Sequence, residues 1–331
     1  MQKAIWTLGY VILVVMCLIL YTAGLYAAFD ANHFFTSSVL TIAIVGIIYA
    51  MKKEISLNLV SNYETTKFDI NDFYNFLSII IGAVITYFLS VELQLGAVVA
   101  AGAVGVLAAL LVPKLGAPLY TGAFVGMASE ALLSSYIAII VAGAIAGIVF
   151  VISKIVFNGF GGKFGTIAFT GCVVTGLLTG QEFLSAEIPN VDMMVKIILC
   201  SVIAGVMTYA ISHRLGHGPV MASGIVGLIA GLVLPAAFPE SGGSLAIMAI
   251  CASFAGMAGK HRIPNEKYLA LAALISALAF IYTNPYMGGA GGKLGTIAFG
   301  SVIAVRGVSD IFANLSKTEG KKEVSPNPSL L

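Results

Sequence analysis

A nine-residue string with one lysine occurs twice in this chain, and the duplication is the strongest constraint on its fold. Residues 161–169 read Gly-Gly-Lys-Phe-Gly-Thr-Ile-Ala-Phe, and residues 291–299 differ only by a leucine in place of the first phenylalanine, 130 positions later. Phe124 and Phe254 belong to a second pair of similar segments with the same offset. Two copies of one structural unit in an apolar chain are typical of transporters and channels, which place the substrate site between the repeats.

The repeat extends beyond these strings and divides the chain into segments. Upstream, matched residues such as Gly96 and Gly218 lie 122 positions apart, so the second copy carries an insertion, near Glu240. We therefore expect four segments, namely two N-terminal spans with a cytoplasmic loop at 1–74, repeat 1 at 75–180, repeat 2 at 192–310 and a disordered cytoplasmic tail at 314–331.

The composition predicts an all-α polytopic membrane protein. Hydrophobic residues make up 59% of the 331 residues, charged residues 10%, and the mean hydropathy is +1.00. So few charges would not cover a water-soluble domain, and the long apolar runs lack the alternation of a membrane β-barrel strand. A net charge of +2 without a basic tract argues against nucleic-acid binding. The four cysteines fall in apolar runs without disulfide or metal spacing.

About twelve transmembrane segments are expected, two before the repeats and five in each repeat. The first apolar run is longer than the core of a signal peptide and lacks a clear cleavage site, so it is interpreted as a retained span. The predicted spans lie near 5–28, 36–51, 75–92, 95–112, 116–130, 136–155, 165–180, 194–211, 218–234, 244–259, 267–283 and 294–311.

The distribution of basic residues predicts the orientation. With a cytoplasmic N-terminus, 15 Lys and Arg residues fall in cytoplasmic segments, and only Lys196 and Lys293 fall on the other side. Such a bias follows the positive-inside rule. Because each repeat has five spans, the second repeat enters the membrane from the opposite face, and the repeats are inverted about an axis in the membrane plane. We expect a bacterial inner membrane protein with both termini in the cytoplasm.

The two lysine-containing strings, here called the glycine-lysine boxes, form the first candidate site. In each box, glycines precede the start of a helix, whose N-terminus offers free N–H groups and the positive end of its dipole. A nearby ammonium group adds a full charge, so the boxes would attract an anionic or strongly dipolar substrate from either side. The alternative is that the glycines only break the chain while the lysines extend outward. The box residues assigned to substrate binding are Gly162, Lys163, Thr166, Gly292, Lys293 and Thr296.

Two short segments at corresponding positions of the repeats form the second candidate site. Pro and Gly interrupt the segment 116–130, and Gly and Ser interrupt the segment 244–259. Short, interrupted segments at matched positions indicate a discontinuous helix that lines a transport site, and matched phenylalanines there would act as hydrophobic constrictions. Close helix packing through small residues is the alternative. The residues expected to line the pathway are Tyr120, Thr121, Phe124 and Phe254.

Two matched threonines form the third candidate pair. Thr86 and Thr208 lie in the middle of the first helix of each repeat, where their hydroxyls would either hydrogen-bond a polar solute or join neighbouring helices. His213 and His217 have the i, i+4 spacing of a metal-binding pair, but a third ligand is lacking and both fall in an expected cytoplasmic turn. We therefore predict no metal site and no cofactor.

These patterns favour a transporter or channel for a small anion or polar solute that passes between two inverted repeats. No acidic residue lies clearly in mid-span, which argues against a proton-coupled pump. In architecture alone, the arrangement is similar to five-plus-five channel-like proteins such as the urea transporters, whose Leu-Pro signature is not found.

Two other functions are weighed against transport. Lysines at both membrane faces suit a phosphate group, so a translocase for a phosphorylated lipid is the main alternative. An intramembrane enzyme is disfavoured, because the spans lack paired aspartates, a serine–histidine arrangement and a metal-ligand cluster. The expected partners are the lipid bilayer and a small-molecule or ion substrate, and small-residue helix faces allow a homo-oligomer.

Overall fold

The computed structural model describes residues 2–56 and 67–323, and within them the fold consists of helices. A π-helical turn (Phe88–Glu92) prolongs the third α-helix, and a short 3-10 helix (Pro113–Leu115) precedes the fifth. The α-helices of the described residues are α1 (Gln2–Asp30), α2 (Phe34–Glu54), α3 (Ile70–Tyr87), α4 (Ala97–Leu111), α5 (Gly116–Gly126), α6 (Tyr136–Ile152), α7 (Lys163–Leu178), α8 (Val191–His213), α9 (Pro219–Ala237), α10 (Gly242–Gly256), α11 (Glu266–Thr283) and α12 (Lys293–Glu323).

Seven of these helices are long and apolar enough to cross a membrane, as expected for a membrane-embedded protein. They are α1, α2, α3 with its π-helical turn, α8, α9, α11 and α12. The helices α4, α6, α7 and α10 have 15–17 residues, which is about 22–26 Å at 1.5 Å per residue. That is less than the ~30 Å hydrocarbon thickness of a bilayer. Each predicted span coincides with a helix, but five of the twelve predicted spans fall short of this length criterion.

Polar side chains and glycines define where the helices begin. Asp69 accepts hydrogen bonds from the first turn of α3 in a capping box, and Ser135, Asn190 and Asn265 accept from the first turns of α6, α8 and α11. These caps satisfy N–H groups that have no partner inside the helix. The apolar runs between them supply the lipid-facing and buried surfaces.

The helices after α2 form two five-helix units with the same internal contacts. In the first unit, α3 packs on α5 and α6, and α7 packs on α5 and α6. In the second unit, α8 packs on α10 and α11, and α12 packs on α10 and α11. The units contact each other mainly through α4 with α9 and through α7 with α12, which hold corresponding places. The broken segments and the glycine-lysine boxes thus lie at the contact between the units.

The two N-terminal helices pack mainly against the second unit. The Tyr21 hydroxyl of α1 donates to the carbonyl oxygen of Ile297 at 2.7 Å. A Cβ on Gly307 of α12 would collide with the backbone of Gly46 in α2, so these two helices cross in direct contact. α12 continues to Glu323, well into the segment predicted to be disordered, and residues 324–331 lie outside the described part of the chain.

Candidate functional site

The structure brings the two glycine-lysine boxes into direct contact. The helices α7 and α12 cross at Gly165 and Gly295, so closely that a Cβ on either glycine would collide with the Cα of the other. The turn before each helix has the same form, because Gly162 and Gly292 both have a φ of +83°, in the left-handed region that favours glycine. The N-termini of two helices, with the positive ends of their dipoles, therefore meet between the units.

Each box also packs against the broken segment of the other unit. A Cβ on Gly161 would collide with the carbonyl oxygen of Phe254, and a Cβ on Gly291 would collide with the carbonyl oxygen of Phe124. These contacts are reciprocal, since 161 and 291 differ by the same 130 positions as 124 and 254. The two candidate sites proposed from the sequence are thus parts of one centre, formed by α5, α7, α10 and α12.

Lys163 is turned inward and holds the loop that precedes its own helix. Its ammonium group donates to the carbonyl oxygens of Ser153 at 2.9 Å and Val156 at 2.6 Å, and to Asn158 Oδ1 at 3.2 Å. The residue is only 7% exposed. Because an ammonium group has three N–H donors, these contacts leave Lys163 no donor for a solute.

Lys293 makes the matching contacts in the second unit. Its ammonium group donates to the carbonyl oxygens of Thr283 at 2.7 Å and Tyr286 at 2.5 Å, which are 130 positions after two of the partners of Lys163. These carbonyls lie at the C-terminal ends of α6 and α11, or just after them, where the helix dipole is negative. Neither lysine extends outward, and the contacts favour a structural role in which each ammonium joins the end of one helix to the start of the next.

The box threonines hydrogen-bond within their own helices. Thr166 Oγ1 donates to the carbonyl oxygen of Gly162 at 3.4 Å, and Thr296 Oγ1 donates to that of Gly292 at 3.3 Å. Both threonines are fully buried. Their hydroxyls therefore help to fix the first turns of α7 and α12.

Aromatic rings seal the space between α5 and α10. The rings of Phe124 and Phe254 have centroids 4.4 Å apart, and each residue is 1% exposed. Tyr120 adds a third ring, whose centroid is 4.3 Å from that of Phe124. The residues expected to form a constriction thus meet at one place, where their rings are buried against each other.

A chain of three buried hydroxyls lies beside the aromatic rings. The Tyr120 hydroxyl is 2.9 Å from Ser223 Oγ, which is 2.8 Å from Ser253 Oγ. Ser253 in turn donates to the carbonyl oxygen of Ile250 at 2.7 Å. Sequence reasoning did not assign Ser223 to the site. The signal that could have found it is a single serine in the middle of α9, whose other side chains are apolar.

The remaining predicted threonines face contacts within or beside their own helices. Thr86 packs against Gly126, and Thr208 packs against Gly256, each inside its own unit. Thr121 and Thr208 donate to carbonyl oxygens of their own helices at 2.9 Å and 2.8 Å. The buried Thr86 Oγ1 has no hydrogen-bond partner among the described residues. The contacts that the structure gives these three side chains therefore lie within their own units.

The loop that carries Lys163 is covered by the N-terminal helices and the second unit. Glu54, the last residue of α2, accepts a hydrogen bond from the Phe157 N–H at 2.8 Å. Arg262 Nε donates to the carbonyl oxygen of Asn158 at 2.9 Å. Neither Glu54 nor Arg262 was assigned to the site from sequence, because no local pattern marks them.

The loop that carries Lys293 is covered by the segment that joins the two units. Leu184 and Gly288 exchange backbone hydrogen bonds of 3.0 Å and 2.8 Å in an isolated antiparallel bridge. The Asn284 side chain also donates to the carbonyl oxygen of Glu187 at 2.7 Å. The two boxes are therefore alike in their own contacts and different in what covers them.

The described residues contain no group of three or more His, Cys, Asp or Glu that could hold a metal ion. His213 Nε2 lies 2.8 Å from the carbonyl oxygen of Ala258, where it joins the end of α8 to the loop after α10. The four cysteines are free, without a disulfide bond. The candidate site is thus built from backbone groups, hydroxyls, aromatic rings and two lysines.

Comparison with known proteins assigns the chain to no family. No protein-family model matches it, and no curated protein and no solved structure matches it either. Over residues 2–56 and 67–323, the structure shows an all-helical fold with seven candidate membrane-spanning helices.

Proposed function

We propose that the chain is a membrane transporter or channel for a small solute, which passes at the interface of two inverted repeats. Three pairs of matched residues carry this proposal, because each pair is in reciprocal contact. The pairs are Gly102 with Gly224, Phe124 with Phe254, and Gly165 with Gly295. When a residue of one unit contacts its own counterpart in the other unit, the contact lies on the two-fold axis that relates the units.

The odd number of helices in each unit supports inversion. When each of the five helices of a unit crosses the membrane once, the start of α8 lies on the opposite face from the start of α3. With the bias of 15 Lys and Arg residues against 2, this orientation puts both termini in the cytoplasm, as in a bacterial inner membrane protein. The two-fold axis then lies in the membrane plane, and the aromatic centre lies on it near the bilayer midplane.

The short helices support a thin barrier at this centre. The helix α5 has 11 residues and α7 has 16, both shorter than a bilayer-spanning helix. In the inverted arrangement, the loops that carry the box lysines enter the protein from opposite faces. Between them stand the rings of Tyr120, Phe124 and Phe254. In this proposal the rings form a closed constriction, and a solute passes when they separate.

Flux through proteoliposomes tests the proposal. The purified chain would be reconstituted and the uptake of small anions and small neutral solutes measured by light scattering and by isotope. Replacing Phe124 or Phe254 by alanine opens the aromatic seal and should raise the flux of the transported solute several-fold. Phe312, which is 64% exposed on α12, provides the control Phe312→Ala, which should leave the flux unchanged. Absence of flux in the native chain and in both seal variants would show that the protein does not form a pathway.

One observation favours a second function, the translocation of a lipid. An apolar groove of about 400 Å³ opens between α8, α9 and α10, with Lys196 at its rim. A groove of this kind fits an acyl chain whose phosphate lies near the ammonium group. Fluorescent phospholipid reduced by dithionite in the same liposomes distinguishes the two functions, since only a lipid translocase exposes the inner-leaflet lipid.

A further inference from the structure

We infer that the solute is uncharged and donates hydrogen bonds, and that Tyr120, Ser223 and Ser253 form the site that selects it. This inference rests on the proposed transport function and narrows its substrate class. The three hydroxyls come from α5, α9 and α10, so both units contribute to one polar cluster. All three residues are fully buried beside the aromatic seal. Burying a hydroxyl in apolar surroundings is costly unless it is hydrogen-bonded, and these three hydroxyls are hydrogen-bonded within the cluster.

The hydrogen bonds of the cluster all run in one direction, from Tyr120 through Ser223 and Ser253 to the backbone of Ile250. The Ser253 hydroxyl donates its single proton to the carbonyl oxygen of Ile250, so its oxygen accepts from Ser223. Ser223 has then used its own proton, and its oxygen accepts from Tyr120. Every proton of the chain is thus engaged, and what remains free is acceptor capacity on the three oxygens. A solute that meets this cluster forms new hydrogen bonds by donating O–H or N–H groups.

The groups in and around the cluster disfavour ions of both signs. The N-terminal ends of α7 and α12 attract an anion, but at the cluster itself an anion meets oxygen lone pairs, and both box ammonium groups are already bound to protein oxygens. A cation meets the positive N-terminal ends of α7 and α12, and no carboxylate lies in the cluster to balance it. Moving an unpaired ion into such apolar surroundings is costly. An uncharged polar solute has neither penalty.

The cluster is present on one side of the two-fold axis only. The positions that match Tyr120, Ser223 and Ser253 in the other unit are Ile250, Ala101 and Ala123. Gly105 packs against the Tyr120 ring, and its counterpart Gly227 packs against Ile250, so the backbone is alike on both sides. The hydroxyls are therefore not required for the packing of the fold, since the same packing is achieved without them.

Selectivity of the reconstituted chain tests the inference. Glycerol and urea, both uncharged donors, would be compared with nitrate, formate and potassium in osmotic light-scattering assays. Tyr120→Phe keeps the ring and removes the hydroxyl, and Ser223→Ala interrupts the chain. Loss of one hydrogen bond is worth about 0.5–1.5 kcal/mol, so each variant should reduce glycerol or urea flux by roughly two- to tenfold. Ser201→Ala is the matched control, because Ser201 is an equally buried serine whose hydroxyl bonds Ala273 in the contact between α8 and α11.

The outcomes separate this inference from the proposed function. Flux of neutral solutes that falls in Tyr120→Phe and Ser223→Ala but not in Ser201→Ala supports the site. Flux of ions without flux of neutral solutes keeps the transport function and overturns the inference. The inference is also overturned when all three variants show the same flux of neutral solutes as the native chain, with unchanged gel-filtration elution and melting temperature. No flux of any solute would refute the transport function itself, and the inference with it.

Discussion

Glu54, the last residue of α2, and Arg262, in the loop after α10, form an ion pair that joins the N-terminal helices to the second unit. Arg262 Nη1 is 3.1 Å from Glu54 Oε2, and Nη2 is 3.2 Å from Oε1. Only 2% of the Glu54 side chain is exposed. The guanidinium also lies over the ring of Phe160, 4.2 Å from its centroid. The pair therefore fastens the loop that carries Lys163.

Breaking this pair should lower the stability of the whole protein. Arg262→Met leaves the Glu54 carboxylate buried without the guanidinium, which typically costs about 3–5 kcal/mol. We expect a large fall in the melting temperature of the purified protein in detergent. Lys196→Met is the control, because it removes an exposed i, i+4 pair with Asp192, worth about 0.3–0.5 kcal/mol. Equal melting temperatures for the two variants would contradict the importance of the buried pair.

The contact between the boxes predicts that substitution of Gly165 and of Gly295, which are far apart in the sequence, lowers the stability of the protein to a similar extent. Gly165→Ala and Gly295→Ala each insert a methyl group into the backbone of the opposite helix, and such overpacking typically costs about 1–3 kcal/mol or more. Gly243→Ala, in open space on α10, should be neutral or slightly stabilising. Folded yield and melting temperature would be compared. A large effect at one of the two box glycines with none at the other would be inconsistent with a reciprocal crossing.

Removal of either box lysine should weaken the fold more than it changes selectivity. Lys163→Met and Lys293→Met remove the ammonium donor from the carbonyl oxygens of Val156 and Tyr286, and each unsatisfied buried group costs about 1–3 kcal/mol. The melting temperature should fall in both variants, while Lys114→Met, at an exposed position, should match the native chain. A selective loss of anion flux at an unchanged melting temperature would instead support the anion-binding role expected from the sequence.

Chemical labelling tests the inversion. After the four native cysteines are replaced, single cysteines at Lys114 and Glu240 report the loops that follow α4 and α9, and both positions are exposed. In inverted repeats these matched loops lie on opposite faces of the membrane. A membrane-impermeant maleimide should therefore label Glu240→Cys from outside intact cells and Lys114→Cys only in inside-out vesicles. Labelling of both from one side would indicate parallel repeats.

The positions of the helices follow closely from the sequence. Apolar runs punctuated by Gly, Pro, Asp and Asn predict twelve segments, and each coincides with a helix. The physical reason is that buried backbone in an apolar chain must satisfy its own hydrogen bonds, which leaves few choices besides helix. The end of α12 differs, because the apolar pattern stops near 311 while the helix continues to Glu323.

The partners of the site residues could be predicted only in part. The shared offset of 130 positions makes the pairing of Phe124 with Phe254 foreseeable. A lysine at the start of a helix can have either of two roles, because its flexible side chain can reach a ligand or turn back to the end of the preceding helix. Only the three-dimensional path of the loop 153–162 shows that Lys163 turns back. Ser223 was missed because it has no polar counterpart in the other unit.

The crossing of α7 and α12 at Gly165 and Gly295 resembles the interface between two separate molecules. An interface in which both partners present the same residues is that of a symmetric dimer. Here the segment from Thr179 to Asn190 tethers the partners, so their association is intramolecular and independent of protein concentration. Because the tether holds the two halves together, each half can change its sequence independently. Two identical subunits could not form a centre with hydroxyls on one side and methyl groups on the other, whereas two diverged halves can.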